Sequence, residues 1–504
     1  MARKLRDLRQ RRRWQPWVGL PFLLCALMLG ASAAPAYASG SATNAQVTVN
    51  LGQTLSTVSP LAIGVNAAVW DGHLQDTQVP GLLRDDGVRV MRYPGGSTAD
   101  SFHWQTNTLD DGSSAGTDTF DQFMQVVQQV GATPIITVNY GTGTPEEAAA
   151  WVQYANVTKH YHIRYWDIGN ELYGNGTYGA LWESDKHALG PASYANNTLQ
   201  FIQAMKAVDP SIQVGLVLTA PGNWPDGQTS ASSPQPWNDT VLPIACSAAN
   251  FVSVHWYPQG PTGETDAGLL AAPANGESTP VSFTPSIPSM VSTLHGEINQ
   301  YCGSHASDVS IMTTETNSVS YNPGKQTTSL VNALYLAENY LTWLENGVTS
   351  VDWWDVHNSE VTGTNDSGSL YGATTYGDYG LLSVGNTDEP AAETPFPDYY
   401  GLQIVSKVVG PFDRIVAASS NQSLVQVFAV RQWDGSVAVL LINTDPGATY
   451  NVSIAGLNTH FLNDATVYSY GQSSTSVSVT HAHGHNTGTQ TIAPYSLTAV
   501  IFHS

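Results

Sequence analysis

Pro134-Ile135-Ile136-Thr137-Val138-Asn139-Tyr140-Gly141-Thr142-Gly143-Thr144-Pro145-Glu146-Glu147 reads as one strand–loop–helix unit. An apolar, β-branched run ends in a loop rich in Gly and Asn. Thr144 then offers a hydroxyl N-cap, Pro145 takes the first helical position, and two acids sit in the first turn beside the helix's positive end. The alternation recurs from about residue 61 to residue 356. Candidate strands are 61–65, 88–92, 134–138, 165–168, 214–218, 251–254, 309–312 and 350–354, and the clearest helices are 120–130, 145–154, 192–208, 291–301 and 329–345. Eight strands alternating with helices predict an α/β fold, a closed (β/α)8 TIM barrel. An open doubly wound sheet would want a phosphate-cradling glycine loop after its first strand, and Asn66-Ala67-Ala68-Val69-Trp70 is not one.

The texture changes past Asp398-Tyr399-Tyr400, where one or two more helical turns are expected. Short alternating runs follow at 424–430, 437–442, 450–454, 465–470, 477–480, 490–492 and 497–502, punctuated by Gly, Asn, Asp and Ser. They predict an all-β sandwich. Residues 46–51 alternate too and are expected to pair with it. The domain reading is therefore 1–38 signal peptide, 39–60 N-terminal strand segment, 61–395 barrel and 396–504 sandwich.

Residues 1–38 carry a basic head (Arg3 to Arg13), an apolar run from Trp17 to Leu29 and Ala36-Tyr37-Ala38, the pattern of a cleaved secretory signal. Secretion to the extracellular space is expected, with no membrane association after cleavage. The whole chain has 18 Lys+Arg against 40 Asp+Glu; the leader holds seven of the bases and one acid, leaving 11 against 39, a net charge of −28. Such a surface repels phosphate backbones and anionic lipid, which argues against nucleic-acid binding and polyanionic ligands. Charged residues make up only 12% of the chain, about half the usual share, and this composition suits an acidic medium. Cys25 lies in the leader. Cys246 and Cys302 remain as an even pair in an oxidising compartment and are expected to form a disulfide.

Two glutamates end candidate strands and enter polar loops: Glu171, after Trp166-Asp167-Ile168-Gly169-Asn170 on the fourth, and Glu315, after Ile311-Met312-Thr313-Thr314 on the seventh. Barrel chemistry sits at the C-terminal ends of the strands, and a carboxyl pair there is suited to acid/base and nucleophilic work. Arg92 ends the second strand, where its cation would keep a nearby carboxylate ionised. His255 and Tyr257 follow the sixth strand, beside the seventh, and either is placed to hydrogen-bond Glu315. His481, His483 and His485 alternate, but no carboxylate or Cys stands near them in sequence, so they read as a solvated loop. No metal and no cofactor is implied. Nothing in the chain speaks to oligomeric state.

Three segments resemble glycoside hydrolase family 51, the α-L-arabinofuranosidases, within the clan of (β/α)8 retaining glycosidases. They are Arg92-Tyr93-Pro94-Gly95-Gly96 with Phe102-His103-Trp104; Val138-Asn139-Tyr140-Gly141-Thr142-Gly143-Thr144 with the helix after it; and Gly169-Asn170-Glu171. The chain departs from that family at Thr314-Glu315-Thr316-Asn317, where D-E-W-N is usual, and at Ser97, where the family has Asn. Its strand-1 acid is not obvious; Asn66 or Asp71 stands there. The resemblance implies an exo-acting, retaining α-L-arabinofuranosidase on plant polysaccharide side chains. Glu171 would be the acid/base, its pKa raised by ionised Glu315, the nucleophile, with the two carboxyls about 5–5.5 Å apart. Asn139, Asn170 and Trp354 would join Arg92, His255 and Tyr257 in binding the oligo- or polysaccharide, Asn170 at the 2-hydroxyl and Trp354 as the floor under the sugar. The 14 Trp and 23 Tyr suit stacking on sugar faces. Alternatives are another retaining glycosidase of the clan (β-xylosidase, endoglucanase, xyloglucanase or galactofuranosidase) and a non-catalytic carbohydrate-binding protein.

Overall fold

A computed structural model describes residues 42–177, 182–223, 236–278, 283–362, 375–458, 461–484 and 487–504. The leader expected at 1–38, Cys25 and His485 lie outside them.

Eight parallel strands close a barrel in chain order: Ile63–Asn66, Val90–Tyr93, Thr133–Val138, Tyr165–Ile168, Gln213–Val217, Phe251–Trp256, Ser310–Thr316 and Ser350–Trp353, the last pairing with the first. Ordinal names below follow this order. Both faces of each strand are covered, which is why they read as continuous apolar runs rather than alternating ones. Local chemistry starts the helices where expected. Thr119 and Gln122 form a reciprocal capping box before Phe120–Val130, which ends on Gly131 in the left-handed region; the Thr144 hydroxyl accepts from the Glu147 N–H before Pro145–Val152. Among the barrel helices that escaped the sequence reading are Trp237–Ala245 and Asp266–Asn275. Each contains a proline (Pro243, Pro273), which in a bare sequence argues against a helix.

The sandwich is a curled run of nine hydrogen-bonded strands whose core includes Val47, Val439, Leu441, Val452, Val500 and Phe502. In sheet order they are Ser478–His483, Asp464–Gly471, Ser496–Phe502, Val437–Asn443, Val425–Arg431, Arg414–Ser420, Thr43–Thr57, Tyr450–Ala455 and Thr489–Ile492. Thr43–Thr57 runs antiparallel to Arg414–Ser420 and parallel to Tyr450–Ala455. The strand Arg414–Ser420 had no counterpart in the sequence reading, and the one or two turns expected after Tyr400 are a full helix, Pro397–Val408. Tyr400 on that helix packs 5.0 Å, ring to ring, from Tyr470 of the sheet. Cys246 and Cys302, at the ends of the helices Trp237–Ala245 and Ile287–Tyr301, are disulfide-bonded with Cα atoms 5.4 Å apart. No helix among the described residues is long and apolar enough to cross a membrane.

The interior is unusually rich in acids. Burial pushes the carboxyls of Glu338 up to about 8, Asp352 to about 7, and Asp266 and Glu277 to about 6; Asp86 and Asp398 also lie well above the usual range for the same reason. Both Asp86 oxygens and Oε2 of Glu338 are buried without a hydrogen-bond partner. A carboxyl raised above its unfolded value, about 4, binds its proton more tightly in the folded state. Its contribution is complete below about pH 4 and is lost as pH climbs through the folded value. Stability is therefore expected to be greatest at the acid end and to decline toward about pH 8, measured by calorimetry or urea unfolding. Glu338→Gln, which fixes the neutral form, should raise the melting temperature near pH 8 and change little near pH 4.

Candidate active site

The fourth strand ends at Ile168 and turns sharply. Gly169 has φ +78, and a Cβ there would stand 2.3 Å from Leu172, so no other residue fits. Two residues on, Glu171 itself is left-handed at φ +40. A long side chain in that region costs on the order of 1–3 kcal/mol and persists only where the surroundings impose it. The strain aims the carboxylate at donors from three places. The Trp182 indole N–H donates to Oε2 at 2.7 Å, His255 Nδ1 lies 2.8 Å from Oε1, and the Tyr173 hydroxyl also hydrogen-bonds the group.

Glu315 lies near the end of the seventh strand and is 5% exposed. Arg92 Nη1 donates to its Oε1 at 2.7 Å and the Tyr257 hydroxyl to its Oε2 at 2.9 Å. His255, opposite Glu315 on the sixth strand, places Nδ1 3.4 Å from Oε2 and Nε2 3.1 Å from the Thr314 hydroxyl. Its imidazole thus stands between the two glutamates, one oxygen of each lying with the ring nitrogen inside a span of 4.8 Å. Thr314, which stands where an acid was looked for, supplies that contact to His255.

Arg92 is 1% exposed and reaches further than Glu315. Nη1 also donates to Asn66 Oδ1 at 2.9 Å and Nη2 to Asn170 Oδ1 at 2.7 Å. Desolvation works against its charge, but Glu315, Asp167 and Asp352 outweigh it and hold the guanidinium charged. Asn66 spends its amide on the backbone carbonyls of Thr314 and Trp353, so it braces the seventh and eighth strands rather than standing in for an acid. Asp71 is bound to His357 Nδ1 at 2.8 Å, and Glu393 meets the other nitrogen of that ring at 3.2 Å. Of the two indoles after the eighth strand, Trp353 is buried against Tyr335 and Tyr340 of the helix Leu330–Glu345, whereas Trp354 lies over Gly96 and edge-on to Trp70. A Cβ on Gly96 would stand 2.8 Å from that indole, which explains the second glycine of Gly95-Gly96.

Two expectations need correction. Burial raises the Glu171 carboxyl, but the hydrogen bonds from His255, Trp182 and Tyr173 outweigh it, so the group lies below its ordinary value instead of above it. Asn139 is not presented to a ligand. Its amide donates to the Phe102 carbonyl and the Thr142 hydroxyl, and its oxygen accepts from the N–H groups of Thr142 and Gly143. It is fully occupied in shaping its own loop. Trp182, Tyr173, Asp100 and Glu183 went unnoticed in the sequence, because none ends a strand and no local pattern marks them.

Among the described residues, two clusters converge closely enough to hold a cation: His73 with Asp76 and Glu393, and the Glu171–His255–Glu315 group itself. On the sandwich, His483 pairs with Asp464 at 3.1 Å, a carboxylate brought in by the neighbouring strand that sequence distance had hidden.

The class is thus a (β/α)8 barrel with a β-sandwich and paired glutamates where strands four and seven end. No family model matches the chain. A probable α-L-arabinofuranosidase C from Aspergillus fumigatus is 27% identical over 231 residues, which is 39% of this chain and 42% of the relative's length. In structure, an α-L-arabinofuranosidase from Thermotoga maritima, solved with arabinose, covers 91% of this chain and 99% of its own at TM-score 0.68 and 16% identity. A family 44 xyloglucanase from Paenibacillus polymyxa covers 92% of this chain and 100% of its own at TM-score 0.65 and 11% identity. At such identities the structural likeness is one of fold.

Removing the guanidinium would leave Glu315 buried without its cation. Arg92→Met is expected to cost about 3–5 kcal/mol in urea unfolding. The double variant Arg92→Met/Glu315→Gln should regain a large part of the loss, because it buries no carboxylate.

Proposed function

We propose that the chain is a secreted, retaining glycoside hydrolase, most specifically an exo-acting α-L-arabinofuranosidase on plant polysaccharide side chains, with residues 61–395 as its catalytic domain. The observation that carries this reading is the Glu171–Glu315 pair, bridged by His255 with carboxylate oxygens inside 4.8 Å. One oxygen of each carboxylate this close suits double displacement, for which carboxyls stand about 5–5.5 Å apart, better than inversion, for which they stand about 6.5–9.5 Å apart. The similarity to named arabinofuranosidases supports the substrate assignment.

Glu315, paired with Arg92 and aimed by Tyr257, attacks the anomeric carbon. Glu171 gives its proton to the leaving oxygen and takes one back from the incoming water once the glycosyl-enzyme has neutralised Glu315. Asn170, fixed against Arg92, faces the sugar's 2-hydroxyl, and Trp354 lies beneath the ring. Because three donors hold the Glu171 carboxyl low in the free protein, its protonated form is populated only in acid. The kcat/KM profile, which reports the free enzyme, should peak on the acid side of neutral and fall as pH rises.

A second reading, another retaining glycosidase of the same clan, draws on Ser97 and on Asn66, where that family has an Asn and an acid. A panel of nitrophenyl glycosides distinguishes the two. Glu315→Ala and Glu171→Ala are each expected to lower kcat at least about 100-fold, with product NMR showing retained configuration in the wild type. An activated fluorosugar should label Glu315. Inverted product, or unchanged sugar binding with no turnover in the wild type, would overturn the assignment.

A further inference from the structure

Behind Asn170 lie two acids that the double displacement does not use. Asp100, on the turn after the second strand, is 0% exposed; Glu183, on the loop after the fourth, is 8% exposed. Both hold Asn170, and their carboxyl groups lie close enough to interact directly. Together they grip Asn170 at two points: its backbone N–H donates to Asp100 Oδ2 at 2.8 Å, and its side-chain amide donates to Glu183 Oε1 at 2.9 Å. Two further donors reach the acids. Gly141 N–H donates to Asp100 Oδ1 at 3.1 Å, and the Ser97 hydroxyl donates to Glu183 Oε1 at 2.6 Å. Glu183 Oε2 is buried with no donor against it. Ser97 is the position where this chain departs from the R-x-P-G-G-N pattern, and its hydroxyl is spent on Glu183.

We propose that Asp100 and Glu183 act as one hydrogen-bonded carboxyl pair that holds Asn170 against Arg92, making both acids positioning residues for Glu315 and Glu171. This inference rests on the glycosidase reading above. The chain of contacts is continuous. The pair fixes both ends of Asn170, the Asn170 oxygen accepts from Arg92 Nη2 at 2.7 Å, and Arg92 Nη1 holds Glu315. Asn170 and Glu171 are consecutive, so the grip on the Asn170 backbone also sets the left-handed turn at Glu171.

The pair holds at least one proton between its two groups. Two neighbouring buried carboxyls do not both ionise readily without a cation, and none faces them among the described residues. The charges bearing on them are Asp185 and Glu171, both acids. Asp185 is paired with His187, Lys186 with Asp110, and Arg92 reaches the pair only through Asn170. Burial first, then these neighbouring acids, raise both groups, Asp100 to about 8 and Glu183 well above its ordinary value. While the proton is present, Glu183 donates to Asp100 through one oxygen and accepts from Asn170 and Ser97 through the other. Loss of the proton sets two carboxylates against each other and loosens the grip.

The test compares wild type with Glu183→Gln and Glu183→Ala, each as the full chain, in kcat against pH on the nitrophenyl glycoside the wild type turns over best. Gln has the shape of the protonated acid and cannot lose that proton. Glu183→Ala should lower kcat about 100-fold, the effect of a misplaced catalytic group, with an unaltered melting temperature near pH 5. Glu183→Gln should restore most of it, and its kcat relative to wild type should rise as pH passes through about 8. A flat ratio across pH, or Ala and Gln variants equally impaired, would overturn the proposal. Infrared difference spectra near pH 5 supply a readout independent of turnover. The wild type should show a protonated-carboxyl band that Glu183→Gln lacks, and its absence in the wild type would also overturn the proposal. If the wild type hydrolyses no glycoside, the proposed function fails, and the infrared band alone then decides whether the pair exists.

Discussion

The buried guanidinium of Arg92 is the interaction on which the site depends. It stands at the end of the second strand, almost without solvent, and touches Glu315 on the seventh strand, Asn66 on the first and Asn170 after the fourth. A cation in that position is costly unless each donor is met and the charge is balanced. The barrel offsets much of the cost by bringing three other chain segments to the two Nη groups, while Nε stays buried without a partner. The same convergence sets the angle between Glu315 and Asn170, so site geometry and barrel closure are one constraint.

His255 is the second such device. One imidazole contacts both glutamates and the Thr314 hydroxyl, so a displacement of any one is felt by the others. The donors around Glu171 reverse the simple expectation that a neighbouring carboxylate must raise its pKa. Trp182, Tyr173 and His255 together stabilise the charged form more than burial opposes it. In the free protein both glutamates accept hydrogen bonds, and Glu171 becomes protonated only toward acid pH. The buried acids of the interior point the same way, since each gives up stability as pH rises.

Much of this was readable from sequence, for physical reasons. Strands buried on both faces leave continuous apolar runs, and caps such as Thr144-Pro145-Glu146 mark helix starts, so the barrel and the strand-end residues Arg92, Glu171 and Glu315 could be placed without coordinates. The helices containing Pro243 and Pro273 were lost because their evidence contradicts local propensity and only tertiary packing overrides it. Trp182, Tyr173, Asp100 and Glu183 were lost for another reason. They reach the site from turns and loops whose paths no periodicity encodes. Asn139 was misjudged because a polar residue in a loop of the right family reads the same whether it faces a ligand or ties its own backbone.

The strand Thr43–Thr57 lies seventh of nine in the sheet order, between Arg414–Ser420 and Tyr450–Ala455. Without it the run would fall into a block of six strands and a block of two. The sandwich therefore cannot be completed from its own contiguous stretch of chain; it waits for a segment more than 350 residues upstream. A polypeptide emerging from a ribosome or a translocon must keep that early strand unpaired, yet protected from other edges, until the final hundred residues arrive. Assembly of this molecule is thus tied to a late event joining Thr43–Thr57 to strands of the last hundred residues, the slow, long-range kind of closure that gates folding by topology.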